Sequence, residues 1–114
     1  MLQKQNRLTK EKDFERIFKL GKSFFAKIIG FKFLKNNLSC SRFGFVVSNK
    51  IAKKATKRNR LKRQLREIIR LKIKKDGIKS GFDVILIARP GILEKDYKQL
   101  EKEIDYGLSK INLV

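Results

Sequence analysis

Histidine and tryptophan are absent from this 114-residue chain, and cysteine, proline and methionine occur once each. Without histidine there is neither the commonest general base near neutral pH nor the commonest metal ligand, and no Ser-His-Asp constellation can form. A lone Cys40 makes no internal disulfide and has no thiol partners for zinc. The seven glycines are scattered, so there is no glycine-rich phosphate loop. No run of 18 or more apolar residues exists, which argues against a membrane-spanning helix. Acids number eleven against thirty lysines and arginines. Their densest group, Glu101, Glu103 and Asp105, is interleaved with Lys102 and reads as a solvated helix surface rather than a two-metal site. The polypeptide therefore carries no evident machinery for breaking bonds by itself.

What is present is charge of one sign over a real core. Hydrophobic residues make up 41% of the chain, with nine Phe, enough for one compact domain spanning 1–114. Net charge is +19. Between Lys53 and Lys75 stand twelve Lys or Arg and one acid, Glu67; the other 18 cations and 10 acids still leave +8. Ordinary solvated helix faces mix signs. This one hardly does, and its natural neutraliser is a polyanion, of which phosphate is the usual form. The opening residues, 1–8, read as a mobile basic arm without a hydrophobic signal core, which makes a cytoplasmic location the default expectation.

The periodicities give an order α-β-β-α-β-α. Thr9 is positioned to cap a first helix over about 10–20, with Glu11 and Asp13 in its first turn, Phe14, Ile17 and Phe18 at i, i+3, i+4, and Gly21 as its stop. Residues 23–35 read as one strand, with Ile29, Phe31 and Phe33 on one side and Ile28, Gly30, Lys32 and Leu34 on the other. Asn36-Asn37 signals a turn into a second strand over 42–48, paired antiparallel with the first. A basic helix follows over about 56–75, ended by Asp76-Gly77. At about 100° per residue, Leu61, Leu65, Ile68 and Ile69 share one side, while Asn59, Arg63, Arg66, Arg70 and Lys74 share the opposite side. Lys72 falls on the apolar side and must snorkel. The unbroken apolar run Asp83–Ala88 suits a central strand, and a last helix spans about 94–110.

Aromatic residues divide between two sides of the expected sheet. Phe31, Phe33, Phe43 and Phe45 read as core. The other side offers Ile28, Gly30, Lys32, Arg42, Gly44, Val46 and Ser48, where small residues beside cations leave room for a single nucleic-acid strand.

The run Arg42-Phe43-Gly44-Phe45-Val46-Val47-Ser48-Asn49-Lys50, continuing through Lys53-Lys54-Ala55-Thr56-Lys57-Arg58-Asn59-Arg60-Leu61-Lys62-Arg63-Gln64-Leu65-Arg66-Glu67, resembles the signature of the bacterial ribonuclease P protein subunit, with Arg58-Asn59-Arg60 as the RNR motif. Phe14 to Phe18 followed by Gly21-Lys22-Ser23, and Asp83 to Arg89, extend the resemblance over nearly the whole chain. It implies an α+β fold, an α/β sandwich of the ribosomal protein S5 domain 2-like type, with a left-handed βαβ crossover through the basic helix. It implies a function: RNA-binding subunit of an enzyme whose RNA component, with Mg2+, removes 5′ leaders from precursor tRNA. The protein would hold no catalytic residue, metal or cofactor of its own, and would need neither a membrane nor an obligate protein partner. Matching positions place Lys54, Arg58, Asn59, Arg60, Lys62, Arg63 and Arg66 at the catalytic RNA, with Arg70 further along the same stripe. They place Phe14, Phe18, Gly30, Lys32, Arg42, Gly44, Val46 and Ser48 in a cleft for the single-stranded leader. Lys32 stands where the family commonly has an aromatic, which implies a phosphate contact there in place of stacking. From residue chemistry alone, a small ribosomal or RNA-chaperone protein is the alternative.

Overall fold

The computed structural model describes residues 2–75 and 77–113. Three helices, α1 (Glu11–Leu20), α2 (Ala55–Lys74) and α3 (Tyr97–Lys110), accompany four strands, β1 (Lys22–Phe25), β2 (Ile29–Lys35), β3 (Arg42–Val46) and β4 (Phe82–Ala88). The sheet order is β1-β2-β4-β3, with β2 antiparallel to both β1 and β4, and β3 parallel to β4.

Two expectations about the sheet are corrected. The stretch 23–35 is a hairpin of two strands, turned at 26–28 and closed by the Ala26 N–H donating to the Ile29 carbonyl at 2.9 Å. The strands around the 36–41 loop do not pair with each other, because β4 lies between them. Val84, Ile85 and Leu86 on β4 are fully buried, so this strand needs a neighbour on each side and a layer on each face. The return from β3 through the 20-residue helix α2 makes the β3–β4 pair parallel, as a crossover connection requires.

One face of the sheet packs on α2 and α3. Phe31, Phe43, Val84 and Leu86 meet Leu61, Leu65, Ile68 and Ile69 from α2 and Leu100, Ile104 and Leu108 from α3. The α2 stripe is the one expected from the sequence. On α3, Gly107 lies against Phe31 so closely that a Cβ would stand 2.1 Å from the ring. That helix starts at Tyr97, behind a capping box in which Asp96 accepts from the Gln99 N–H and the Gln99 side chain accepts from the Asp96 N–H, both at 2.9 Å. The sequence places its start at about residue 94, but Glu94 closes a separate 3-10 turn, Ile92–Glu94, which follows Gly91 at φ 95°.

The other face carries α1 and a smaller cluster of Leu8, Ile17 and Ile85, with Phe14, Leu34, Val46 and Ile87 around it. Lys10 is the N-cap residue of α1, and no side chain, Thr9 included, supplies the cap bond; Glu11 and Asp13 provide the favourable first-turn charge. Gly21 caps the end of the helix in extended backbone, its N–H donating to the Ile17 carbonyl. A Cβ there would stand 2.5 Å from that carbonyl oxygen and 2.9 Å from that of Phe33, so only glycine fits.

The opening segment also differs from the mobile arm expected over 1–8. Leu2 and Leu8 are buried, the Asn6 side chain donates to the Ser41 carbonyl at 2.8 Å, and the Leu8 N–H donates to the Phe43 carbonyl at 2.9 Å. Two leucines and one asparagine outweigh the basic residues between them, and the segment covers the otherwise open edge of β3. The expected stop of the basic helix falls partly on Asp76, outside the described residues; the helix itself ends at Lys74.

Candidate nucleic-acid interface

The first surface is the outer side of α2. Burial of Leu61, Leu65, Ile68 and Ile69 turns Asn59, Arg60, Arg63, Arg66 and Lys74 outward, all exposed. Lys54, the N-cap residue, is exposed as well, and Lys62 is half-buried. Among the described residues the ion pairs on this helix are Arg70 with Glu67 and Lys72 with Asp105. The stripe thus keeps most of its charge for something outside the fold. Arg66 lies over the Phe45 ring, 5.9 Å from its centroid, which orients its guanidinium without neutralising it. At the start of the helix, Lys57, Arg60 and Gln64 flank a recess of about 270 Å³ whose far wall is Leu93 and Lys95.

Two members of the expected set are already engaged. Nη1 of Arg58 donates to the carbonyls of Ala52 and Lys53, both at 2.9 Å, fastening the loop that leads into α2. Arg70 forks onto Glu67, with Nη2 to Oε1 at 2.6 Å and Nε to Oε2 at 3.1 Å. That contact holds the Glu67 carboxyl below its usual range and raises the Arg70 guanidinium. Arg58 is in this structure a positioning group, and Arg70 a cation whose field is largely cancelled locally.

The second surface is the α1 side of the sheet. Strand register lines up two rows across it: Ser23, Lys32, Ile85 and Gly44, then Phe25, Gly30, Ile87 and Val46. Phe14, Phe18, Gly30, Lys32, Arg42, Gly44 and Val46 lie on this face, whereas Ile28, expected beside them, sits in the 26–28 turn and packs into the core with α2 and α3. The space above the two glycines is taken. A Cβ on Gly44 would stand 2.6 Å from the Phe14 ring, and one on Gly30 would stand 2.7 Å from the Phe25 ring. The surface is therefore a trough with aromatic walls rather than a flat platform. Phe14 is half-buried, while Phe18 is 43% exposed and Phe25 56% exposed. Lys32 donates through Nζ to the Phe18 carbonyl at 3.1 Å, a favourable place for a cation at the end of α1. Ser48 lies beyond the end of β3, exposed, its carbonyl closing the turn to Ile51 and Ala52.

Arg42 plays a different part from the one expected. Its Nε donates to Asp83 Oδ1 at 2.8 Å and its Nη2 to Oδ2 at 2.7 Å, with Asp83 fully buried. Asp13 and Asn36 join the same network, Asn36 reaching Asp83 Oδ1 at 2.9 Å. The hydrogen bonds that Arg42 donates to Asp83 raise the Arg42 pKa above its ordinary value, against the lowering effect of burial. This fork is spent inside the fold.

Phe25, Ile87 and Arg89 belong to the trough, and sequence reasoning passed over all three. Phe25 reaches this face only through the hairpin register that sets it opposite Gly30. The doublet Phe24-Phe25 holds that signal, since one ring must go to each side of a strand. Ile87 is submerged in an apolar run, and Arg89 falls just past that run, where no periodicity assigns it a face.

An exposed cationic helix stripe and an aromatic-walled basic trough on one small α+β fold define an RNA-binding protein. The Ribonuclease P family model matches residues 2–112. The chain is 36% identical over 110 residues to the ribonuclease P protein component of Clostridium botulinum (strain Loch Maree / Type A3), covering 96% of this chain and 97% of that one. It is 40% identical over 104 residues to the component from Fusobacterium nucleatum, covering 88% and 91%. Among solved structures, the RNase P protein from Thermotoga maritima superposes with a TM-score of 0.81 at 38% identity, covering 91% of this chain and 96% of that one. The Staphylococcus aureus RNase P protein gives 0.83 at 29% identity, covering 95% and 96%. The chain belongs to the ribonuclease P protein family, the RNA-binding subunits of an enzyme of tRNA processing whose partner is the RNase P RNA. A ribosomal or chaperone role is not favoured.

Proposed function

We propose that this protein seats the catalytic RNA along the outer face of α2 and holds the 5′ leader of precursor tRNA in the trough beside α1. Bond cleavage lies with the RNA component and its magnesium, and the site of action is the cytoplasm. The observation that carries the reading is the exposed row Asn59, Arg60, Arg63 and Arg66 on a helix whose opposite side is wholly engaged in the core. Such a row supplies phosphate affinity without sequence preference. Among the described residues, no group of three or more His, Cys, Asp or Glu stands close enough to hold a metal ion, and no helix is long and apolar enough to cross a membrane. The described side chains offer no convergent carboxylates that fit a magnesium site of the protein's own. Their work is to bind, to orient, and to screen RNA against RNA so that less magnesium is needed for assembly.

Purified protein treated to remove all nucleic acid, then mixed with precursor tRNA, tests this. Cleavage is expected only after a cognate RNase P RNA is added, at a lower magnesium concentration than that RNA needs alone. Leader removal by the RNA-free protein would overturn the proposal.

A further inference from the structure

The proposed cleft accounts for Phe14, Phe18 and Lys32 but leaves unused the most exposed phenylalanine of the trough. Phe25 sits on the outermost strand, its ring seated over Gly30 and 56% exposed. The Arg89 guanidinium lies 5.2 Å from that ring's centroid and is anchored by Nη1 donating to the Ala26 carbonyl at 2.9 Å. An exposed aromatic braced by a fixed cation matches what a single-stranded nucleic acid requires: a π-surface for a base and a positive charge for the adjoining phosphate. No core function explains the placement, because Phe24, its neighbour, already supplies the ring on the buried side, packed near Tyr106.

The geometry points to Phe25 and Arg89 as a distal stacking step that takes a base of the leader far from the cleavage site. This rests on the leader reading above and extends it. The row Phe25, Gly30, Ile87, Val46 crosses all four strands, so at roughly 4.8 Å per strand Phe25 stands about 14 Å from Val46. The basic helix begins shortly after β3, beyond Val46. A leader entering beside α2 must cross the whole trough before a base reaches Phe25. The step therefore acts on long leaders and not on short ones, and it is tolerant of sequence because every base has a face to stack.

The test uses holoenzyme reconstituted with RNase P RNA, mature tRNA, and precursors with leaders of increasing length. Phe25→Ala is expected to lower affinity for the longest leaders about tenfold, leaving the shortest leader and mature tRNA at wild-type values. An abasic sugar at the outer leader positions should produce the same loss in wild type and none beyond it in Phe25→Ala. Phe25→Leu, which fills the space over Gly30 without a ring, should behave like Phe25→Ala. Wild-type affinity for long leaders in Phe25→Ala, with a loss in Phe18→Ala, would overturn the distal step and leave the cleft standing. Equal affinity of all variants for every leader and for mature tRNA would overturn the leader reading itself.

Discussion

Arg42 clasps Asp83 in a two-bonded fork, 2.8 Å and 2.7 Å, joining the first residue of β3 to the buried start of β4. Asp83 is completely buried and Arg42 is its principal counter-charge, with Arg16 adding a hydrogen bond at 3.3 Å from a side chain 43% exposed. Removing the fork leaves a carboxylate without its main partner, so Arg42→Ala should cost about 3–5 kcal/mol of stability. Urea unfolding at pH 7 measures it; a loss under about 1 kcal/mol would mean that Arg16 and Asn36 suffice.

The two phenylalanines of α1 should separate cleanly. Phe14 fills the space over Gly44, whereas Phe18 is 43% exposed. Phe14→Ala should therefore cost about 2–3 kcal/mol, below the range for a fully buried ring. Phe18→Ala should stay within about 1 kcal/mol of wild type while raising the holoenzyme's precursor Kd about five- to tenfold. Thermal melts and precursor titrations on both variants give the comparison. Unfolding by Phe18→Ala would make that ring part of the core instead.

The α2 stripe predicts a salt signature. Arg63 is exposed and has no ion pair among the described residues. Arg63→Ala should flatten the log Kd against log salt plot for RNase P RNA by about 0.7–0.9 for each phosphate that the side chain neutralises in the wild type. Arg70→Ala should change that slope less, because Glu67 already neutralises Arg70. Equal slopes for wild type and Arg63→Ala would place the RNA elsewhere.

Lys72 gives a pH dependence whose sign is fixed. Burial lowers its pKa below the ordinary 10.5, outweighing the opposite pull of Glu101 even with Asp105 paired to the ammonium, and Lys75 adds to the lowering. As pH rises toward 10.5 the folded protein releases this proton before the unfolded chain does, so the unfolded state binds more protons and stability climbs across that window. Lys72→Met should lose this rising component. Urea midpoints for the two proteins between about pH 8 and the ordinary lysine pKa report it; parallel curves would show that the ammonium is as well solvated in the fold as out of it.

Helix α2 and central strand β4 were legible in the sequence because each carries one dominant pattern, a two-sided helix and an unbroken apolar run. The assignment of Phe31 and Phe43 to the core side, and of Gly30 and Gly44 to the other, was legible through the period of two. The insertion of β4 between β2 and β3 was not, because strand neighbours depend on long-range burial and not on any local signal. The docking of Leu2 and Leu8 was outweighed on paper by the charges around them. The Arg42–Asp83 fork was hidden for a related reason: 41 residues separate its partners, and an arginine in a basic protein looks free until a buried carboxylate is found beside it. The two glycines lie on the side of the sheet that the alternation predicts, but the space above them is not empty, since the rings of Phe14 and Phe25 arrive from other elements.

The most direct test of the account compares how much the protein tightens binding of precursor tRNA and of mature tRNA to the RNase P RNA. A trough that holds the leader should give precursor an added preference of about 5- to 150-fold, the equivalent of about 1–3 kcal/mol. Equal tightening of both would contradict it, leaving the protein an electrostatic clamp on the RNA alone.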